Sequence, residues 1–351
     1  MRLQRELACV LTNERRRARA FALSDPPLLV LVAALAVGGS QPIGISAQGS
    51  VGQLRSECAA GDQGLELLCA DAALAVQALH SGVGLLMTAG GALPASPSTL
   101  GQRMAGSPRV AVDVGGSWAS LSHPDLSRPG NPSGVPEKRS LMTGLRMTTV
   151  VGVFDGFSVV PGVDGLLGLD AVGLVQLMRM PESPAASSPK VAWGGGVRLG
   201  ILRESFSLPG VTVTGIYRRA GELNFGTREG TGALATMSPS MTSVRVIVGK
   251  DLWPVGLSLG AGWDRYRGDG RIEARLAESG GSILEGAGSG DLSMNRKYFF
   301  TGANFTWLVT QLAAELGWAR GASPLADLVG TGPFRAGGSA LQGTLTFRFT
   351  Y

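Results

Sequence analysis

Residues 341–351 read LQGTLTFRFTY, and their alternation decides the fold. One set of alternate positions holds Leu341, Gly343, Leu345, Phe347, Phe349 and Tyr351, and the other holds Gln342, Thr344, Thr346, Arg348 and Thr350. A two-residue period is that of a β-strand whose two faces meet different surroundings. The sequence therefore predicts a terminal strand that is apolar on one face and polar on the other.

The same period recurs in segment after segment from Arg109 onward, and alternate apolar positions indicate ten strands. The predicted connections are short near residues 203–210, 250–254 and 308–310, and long at 122–139, 180–190, 268–295 and 321–339. Short turns at one end and long polar loops at the other are typical of transmembrane barrels. We therefore predict an all-β, antiparallel up-and-down transmembrane barrel of about ten strands over residues 108–351, and a count of about twelve stays open.

The polar face of these strands favours a membrane barrel over a soluble β-sandwich. A soluble sandwich turns abundant Lys, Glu and Thr toward water, whereas this face is mostly Gly, Ser, Thr and Ala. It adds one charge on nearly every strand, namely Asp113, Arg146, Asp170, Arg198, Arg218, Arg245, Asp264, Glu315 and Arg348. Charges away from water are costly unless they are paired, so we predict that these nine side chains line the lumen and neutralise one another.

The apolar face is then predicted to meet lipid. Its interfacial anchors are Trp118, Tyr217, Trp263, Trp307, Trp318 and Tyr351. Two interpretations of the lumen charges stay open. In the first, the charged side chains form salt-bridged layers that fill a narrow barrel. In the second, the five arginines line a pore that favours anions. Ten strands leave little free bore, which favours packing.

The terminal strand resembles the C-terminal signature of Gram-negative outer-membrane proteins, in which alternate aromatic residues lead to a final aromatic one. Phe347, Phe349 and Tyr351 carry the resemblance. It implies a multi-pass barrel in the outer membrane, with lipid and the barrel-insertion machinery as partners. The long β region behind an N-terminal segment also resembles the outer-membrane transporters of long-chain fatty acids and other hydrophobic compounds, whose N-terminal residues form a hatch inside the barrel.

Residues 1–47 are predicted to be a secretory signal peptide. The apolar run Pro27–Gly38 follows a basic stretch, and small residues lead to Ala47, after which we expect cleavage. The run is too short to cross a membrane as a helix. This segment holds six Arg and three acidic residues, so its removal lowers the formal net charge from +5 to +2. No dense basic patch remains, so we expect no nucleic-acid partner.

Residues 48–107 are predicted to form an N-terminal helical, hatch-like segment. The Ala- and Leu-rich stretch 57–87 predicts a helix buried against other protein, either as a packing helix or as a plug. Whether residues 57–105 fill the barrel stays open. Cys58 and Cys69 are predicted to form a disulfide, because the protein is exported to an oxidising compartment. Metal binding is the alternative, although two thiols make at most half a site.

The sequence contains strings that match catalytic and adhesion motifs, but their contexts do not support those functions. The string Gly256–Gly260 matches a nucleophile elbow, but its serine is mid-strand and no histidine follows His123. His80 is expected in the helical core, and His123 in a solvated loop beside Asp125. The tripeptide Arg267–Asp269 spells an adhesion motif at a predicted loop tip, where it is also a good turn. We therefore predict no enzymatic activity, no cofactor and no metal.

The predicted function is passive transport or binding of small molecules, either hydrophobic or anionic. The alternative is a structural or surface-interaction barrel that acts through its long extracellular loops. Discrete conductance in planar bilayers would indicate a pore, whereas a lumen filled by side chains would favour the structural class.

Overall fold

A computed structural model describes residues 45–102, 106–124, 137–158, 165–180, 189–205, 208–227, 230–278, 280–321 and 338–351. The helices are α1 (Ile45–Ala59) and α2 (Gln63–Thr88). The strands are β1 (Val110–Pro124), β2 (Glu137–Phe154), β3 (Gly168–Arg179), β4 (Lys190–Leu202), β5 (Gly210–Ala220), β6 (Leu223–Gly226), β7 (Gly232–Leu252), β8 (Val255–Ala277), β9 (Ile283–Trp307), β10 (Thr310–Ala319) and β11 (Ala340–Thr350). Residues 1–44 of the predicted signal peptide lie outside the described residues, and its last three residues begin α1.

Ten of the strands close into one antiparallel barrel. β5 pairs with β7, the short β6 pairs with β7 alone among the described strands, and β1 pairs with β11 to close the circle. Where the barrel begins and ends, Val110 and Tyr351 exchange two backbone hydrogen bonds of 3.0 and 2.8 Å. The predicted ten-stranded up-and-down barrel is confirmed.

The two ends of the barrel differ in their connections. At the end where β1 begins and β11 finishes, two-residue turns at 253–254 and 308–309 join β7 to β8 and β9 to β10. We call this the turn end and the opposite end the loop end.

The sequence prediction was wrong about residues 268–295. Instead of a long loop, they continue β8 and β9, which are 23 and 25 residues long, as a hairpin at the loop end. The inward side chains Ile272, Leu292 and Met294 are buried in one core with the helices. Most of the outward residues are charged, polar or small, which gives the segment the composition of a loop. Arg267–Asp269 therefore lies within a strand and not at a loop tip.

The helix predicted over residues 57–87 is two helices. Gly61 breaks the chain with a φ of 85°, and the Asp62 carboxylate caps α2 by accepting a hydrogen bond from the Gly64 N–H (2.8 Å). α1 packs on β8 and β9, and α2 contacts β1, β2, β7, β8 and β9. α2 is long and apolar enough to cross a membrane, yet it is mostly buried inside the protein.

The chain continues from α2 along the lumen to the turn end. Gly90 and Gly91 turn it with φ values of 75° and 54°. Gln102 then forms a bridge with Pro108, just before β1 begins. α2 and residues 89–102 together occupy the lumen, and we call them the plug.

Cys58 and Cys69 form the predicted disulfide, which ties α1 to α2. Closing a loop of this size stabilises the hairpin by about 3 kcal/mol. The C58A/C69A variant is therefore expected to expose α1 to trypsin at Arg55, measured by limited proteolysis and mass spectrometry. Wild-type protein under reducing conditions is the matched comparison, and an unchanged cleavage rate in both would contradict the prediction.

Candidate functional site

All nine charged residues predicted to face the lumen are buried, each with at most 5% of its surface exposed. Each comes from a different strand, and together they are five arginines and four acids. The side chains therefore form a charged lining on the inner face of the barrel wall.

Four of the five arginines pair with carboxylates. The pairs are Arg146–Asp113 (3.6 Å), Arg348–Asp113 (3.3 Å), Arg198–Asp170 (3.2 Å) and Arg245–Glu315 (2.7 Å). Asp264 accepts a hydrogen bond from the Tyr266 hydroxyl at 2.9 Å. Arg218 has no ion pair with any carboxylate of the described residues. Four of the predicted arginines thus share three carboxylates, and in the ranges that the structure describes Arg218 and Asp264 have no ion pair with each other or with the rest of the nine.

Backbone carbonyls of the plug accept hydrogen bonds from four of these arginines. The bonds run from Arg146 to Ala89 (2.6 Å) and Gly91 (3.1 Å), from Arg218 to Gly91 (2.7 Å), from Arg348 to Pro94 (2.8 Å), and from Arg198 to Ser96 (3.1 Å) and Ser98 (2.9 Å). The last carbonyls of a helix lack helical partners and carry the negative end of its dipole. Ala89 is the C-cap of α2, and the other acceptors belong to the segment that follows the helix in the lumen.

Neutral groups and close packing hold the plug as well. Gln176 donates to the Leu86 carbonyl at 3.1 Å, and Asn304 donates to the Ala95 carbonyl at 2.9 Å. At Gly91 an added Cβ would come within 2.0 Å of the Arg245 guanidinium. Because Gly91 also has a positive φ, another residue there would be strained and would displace the Arg245 guanidinium, the plug or both.

Both histidines, His80 and His123, are buried, the first on α2 and the second on β1. His80 is in the helical core, as expected, with its ring edge-on to Tyr266 at 6.3 Å. The prediction of a solvated loop was wrong for His123, which is buried on β1 with Nε2 2.9 Å from the Ser140 hydroxyl. Its ring packs edge-on against Phe225 of β6, which removes it from water. Asp125, its predicted neighbour, lies outside the described residues.

Ser258, the serine of the elbow-like string, is buried in mid-strand on β8. Its hydroxyl donates to the Gly302 carbonyl at 3.5 Å. Among the described residues no histidine is hydrogen-bonded to it, and no group of three or more His, Cys, Asp or Glu residues could hold a metal.

The outward face of β8 changes character along the strand. It is apolar at Val255, Leu257, Leu259, Ala261 and Trp263, and then carries Arg265, Arg267, Asp269, Arg271, Glu273 and Arg275. The apolar part spans nine residues, the length that a tilted strand needs to cross the hydrocarbon of a membrane. The charged part belongs to the hairpin that projects beyond it.

Large apolar side chains are exposed on other strands too. Examples between 42% and 66% exposed are Leu145, Met147, Val175, Val197, Val246, Leu259, Phe299 and Phe347. At the turn end Trp307 and Tyr351 are about 70% exposed, as expected of interfacial anchors. A closed barrel with an apolar exterior and a charged interior is the arrangement expected when the exterior contacts lipid and not water.

The chain is an outer-membrane β-barrel. In such barrels the short turns face the periplasm and the longer loops face the medium. The turn end is therefore periplasmic, and the loop end, with the β8–β9 hairpin and α1, is extracellular.

No family model and no curated protein matches the sequence. Among solved structures, the chain is similar to the outer-membrane protease OmpT from Escherichia coli (10% identity, TM-score 0.34, covering 70% of this chain and 96% of that one). It is also similar to Ail, the attachment invasion locus protein of Yersinia pestis (8%, 0.28, 70% and 99%), and to a FadL homologue of Pseudomonas aeruginosa (10%, 0.26, 77% and 97%). These likenesses concern the fold alone.

The ladder at the seam between β1 and β11 ends before β1 does. Its last pair is Ala119 and Gln342, after which β1 continues to Pro124 paired with β2. The Ser120 hydroxyl accepts from the Leu341 N–H (3.0 Å) and lies 3.2 Å from its carbonyl oxygen, so it closes the ladder. Within the described residues, β1 and β11 are therefore not paired through their backbones beyond Ala119 and Gln342, toward the extracellular end.

A cavity of about 550 Å³ lies at this end of the seam. Its lumen side is formed by Ala78, Ser81 and Gly82 of α2, and its outer lip by Trp318 and Leu341, which are 45% and 47% exposed toward the membrane. The other lining residues are Ser120, Leu121, Ser122, Arg139, Arg296, Gly338, Ser339 and Ala340. We call this cavity the seam notch.

Sequence patterns predict neither the plug carbonyls nor the seam notch. A signal for the first is the Gly90–Gly91 pair followed by Pro94, since these residues do not favour continuing the helix and leave the carbonyls of the segment without helical partners. The notch depends on where the β1–β11 ladder stops, and no residue type encodes that point.

Proposed function

We propose that this barrel binds small hydrophobic or amphipathic molecules in the seam notch and passes them across the outer membrane with the plug as a gate. The observation that carries the proposal is a cavity whose lining includes both membrane-facing side chains and the plug. A molecule dissolved in the outer leaflet reaches such a site without crossing a hydrogen-bonded wall.

The size and chemistry of the notch support this proposal. Small-molecule sites typically measure about 300–1,000 Å³ and combine apolar walls with a few polar groups. Here Trp318, Leu121 and Leu341 supply apolar surface, while Ser81 and Arg296 supply hydrogen-bonding groups. A ligand with an apolar body and one polar or anionic end fits this lining.

The position of the plug supports the gate. Its hydrogen bonds to the lumen arginines involve residues 89–98, on the periplasmic side of the notch. Onward passage needs these bonds to break, so the resting barrel is closed to ions. We propose no catalytic step and no cofactor.

Filling the notch should weaken binding. Ser81 lies on the same face of α2 as Ala78 and Gly82, so S81W places an indole in the cavity. We expect the affinity for a fluorescent apolar probe, such as phenylnaphthylamine, to fall about tenfold or more in detergent-solubilised protein. The measurement is a fluorescence titration.

The control is S56W, the same change at an exposed position of α1. Heat-modifiable migration on gels checks that both variants are folded barrels. Equal probe affinity in folded S81W and wild type would contradict the site, and absence of probe binding to wild type would contradict the proposed function.

A second candidate function is surface interaction, and one observation favours it. The β8–β9 hairpin, β7 and both helices share one core at the extracellular end, and the disulfide locks the helices together. This makes a rigid projection rather than a set of loose loops. Absence of probe binding by the wild-type barrel would favour this candidate.

A further inference from the structure

On five strands the apolar outward face ends at a cation. The next outward residue is Arg179 on β3, Arg219 on β5, Arg265 on β8, Lys297 on β9 and Arg320 just after β10. The last apolar or aromatic residue before it is Leu177, Tyr217, Trp263, Phe299 or Trp318, respectively. The cations therefore mark one level, at the extracellular border of the apolar band.

Strand register brings most of these cations together. The Arg320 N–H donates to the Lys297 carbonyl at 3.0 Å, so the two residues are neighbours across β9 and β10. Lys297 pairs with Trp263, and Arg265 is the next outward residue on β8.

The cluster extends to β5 through β7. Arg267, the outward residue after Arg265, pairs with Ser240, and Ser240 pairs with Arg219. The contiguous set that we call the cation belt is Arg219, Arg265, Arg267, Lys297 and Arg320.

The belt differs from the arginines farther out on the same hairpin. None of its side chains has a salt bridge within the described part of the chain. Farther out, Arg271 pairs with Glu273 (3.9 Å) and Arg275 with Glu285 (3.6 Å). Like charges on neighbouring strands repel, so an unneutralised cluster costs stability unless an external anion binds.

We propose that the cation belt binds the phosphate groups of a phosphorylated lipid of the outer leaflet, lipid A. The belt follows directly on the lipid-facing band, so a lipid with its acyl chains against Trp263, Phe299 and Trp318 places its head group at this level. Guanidinium groups bind phosphate through two parallel hydrogen bonds. Clustered Lys and Arg at a membrane border attract anionic lipids in proportion to their number.

The test compares two variants of the full-length protein. R265Q/R267Q/K297Q removes three belt cations, and R271Q/R275Q removes two paired arginines from the same outward face of β8. Binding of purified lipid A is measured by native mass spectrometry of barrels refolded in detergent, with a neutral glycolipid as reference. We expect the belt variant to bind lipid A about a hundredfold more weakly than wild type, and the distal variant to bind like wild type.

Three results would overturn the proposal. The first is unchanged lipid A binding by the belt variant, and the second is an equal loss in both variants, which would indicate net charge alone. The third is wild-type binding of a soluble sulfated polysaccharide, again lost in the belt variant, with no preference for lipid A over the neutral glycolipid. That result would assign the belt to soluble polyanions.

Discussion

Replacing Arg146 and Arg218 together with alanine is expected to turn a silent barrel into a conducting one. The change removes the three bonds to the Ala89 and Gly91 carbonyls. A hydrogen bond from a charged donor contributes about 1.5–3 kcal/mol, so the plug loses several kcal/mol of attachment at its bend. Planar-bilayer recordings should show no steps for wild type and discrete conductance steps for R146A/R218A.

The matched control is R271A/R275A, which removes two arginines from the exterior and should stay silent. A second route to the open state keeps every lumen charge. In G91V the new side chain would overlap the Arg245 guanidinium, and its β-branch suits the positive φ poorly, so the plug should again leave the wall. Silent but folded R146A/R218A and G91V barrels would contradict the gate, and a conducting wild type would contradict the closed plug.

The strands and their faces were predictable from sequence because lipid and lumen demand opposite chemistry at alternate positions. A strand such as β11 places Leu345 and Phe347 toward lipid and Thr346 and Arg348 inward. The alternation of residue types therefore determines which side of the strand faces the lumen. The same contrast placed the nine charged residues on the polar faces of their strands, and all nine are buried.

The partners of these charges were not predictable. Five arginines against four acids fit an anion pore and a packed lumen equally well while the position of α2 is unknown. The groups that decide the matter are the carbonyls of Ala89, Gly91 and Pro94, and every residue type carries a backbone carbonyl. Only the fold shows that the C-cap of α2 and the segment after it lie against the arginines.

The error over residues 268–295 has a different cause. Outside the membrane the outward face of a strand meets water, so Arg271, Glu273 and Arg275 replace the apolar residues that mark a membrane strand. The inward positions Ile272 and Leu292 still follow the two-residue period. Where a barrel strand extends beyond the bilayer, its inward apolar residues still show the two-residue period. Its outward apolar residues, which mark a membrane strand, are replaced by charged ones.

Removing one partner of the buried pair Arg245–Glu315 is expected to have a large effect on stability. The two groups are 2.7 Å apart, at most 2% of either side chain is exposed, and the guanidinium also lies 3.9 Å above the Phe300 ring. E315A leaves the arginine charge buried without its carboxylate, which typically costs about 3–5 kcal/mol. We expect a marked fall in the temperature at which E315A loses its folded gel mobility.

Replacing both partners should restore most of that loss, because R245M/E315L leaves no charge to desolvate and fills the space with apolar side chains. The exposed pair Arg275–Glu285 is the control, and E285A should change stability by no more than about 1 kcal/mol, since water screens it. A double-mutant cycle of R245M, E315L and R245M/E315L separates a charge effect from a packing effect. If R245M/E315L is as unstable as the sum of the two single variants, the pair contributes through shape and not through charge, and the electrostatic account of the lumen lining fails.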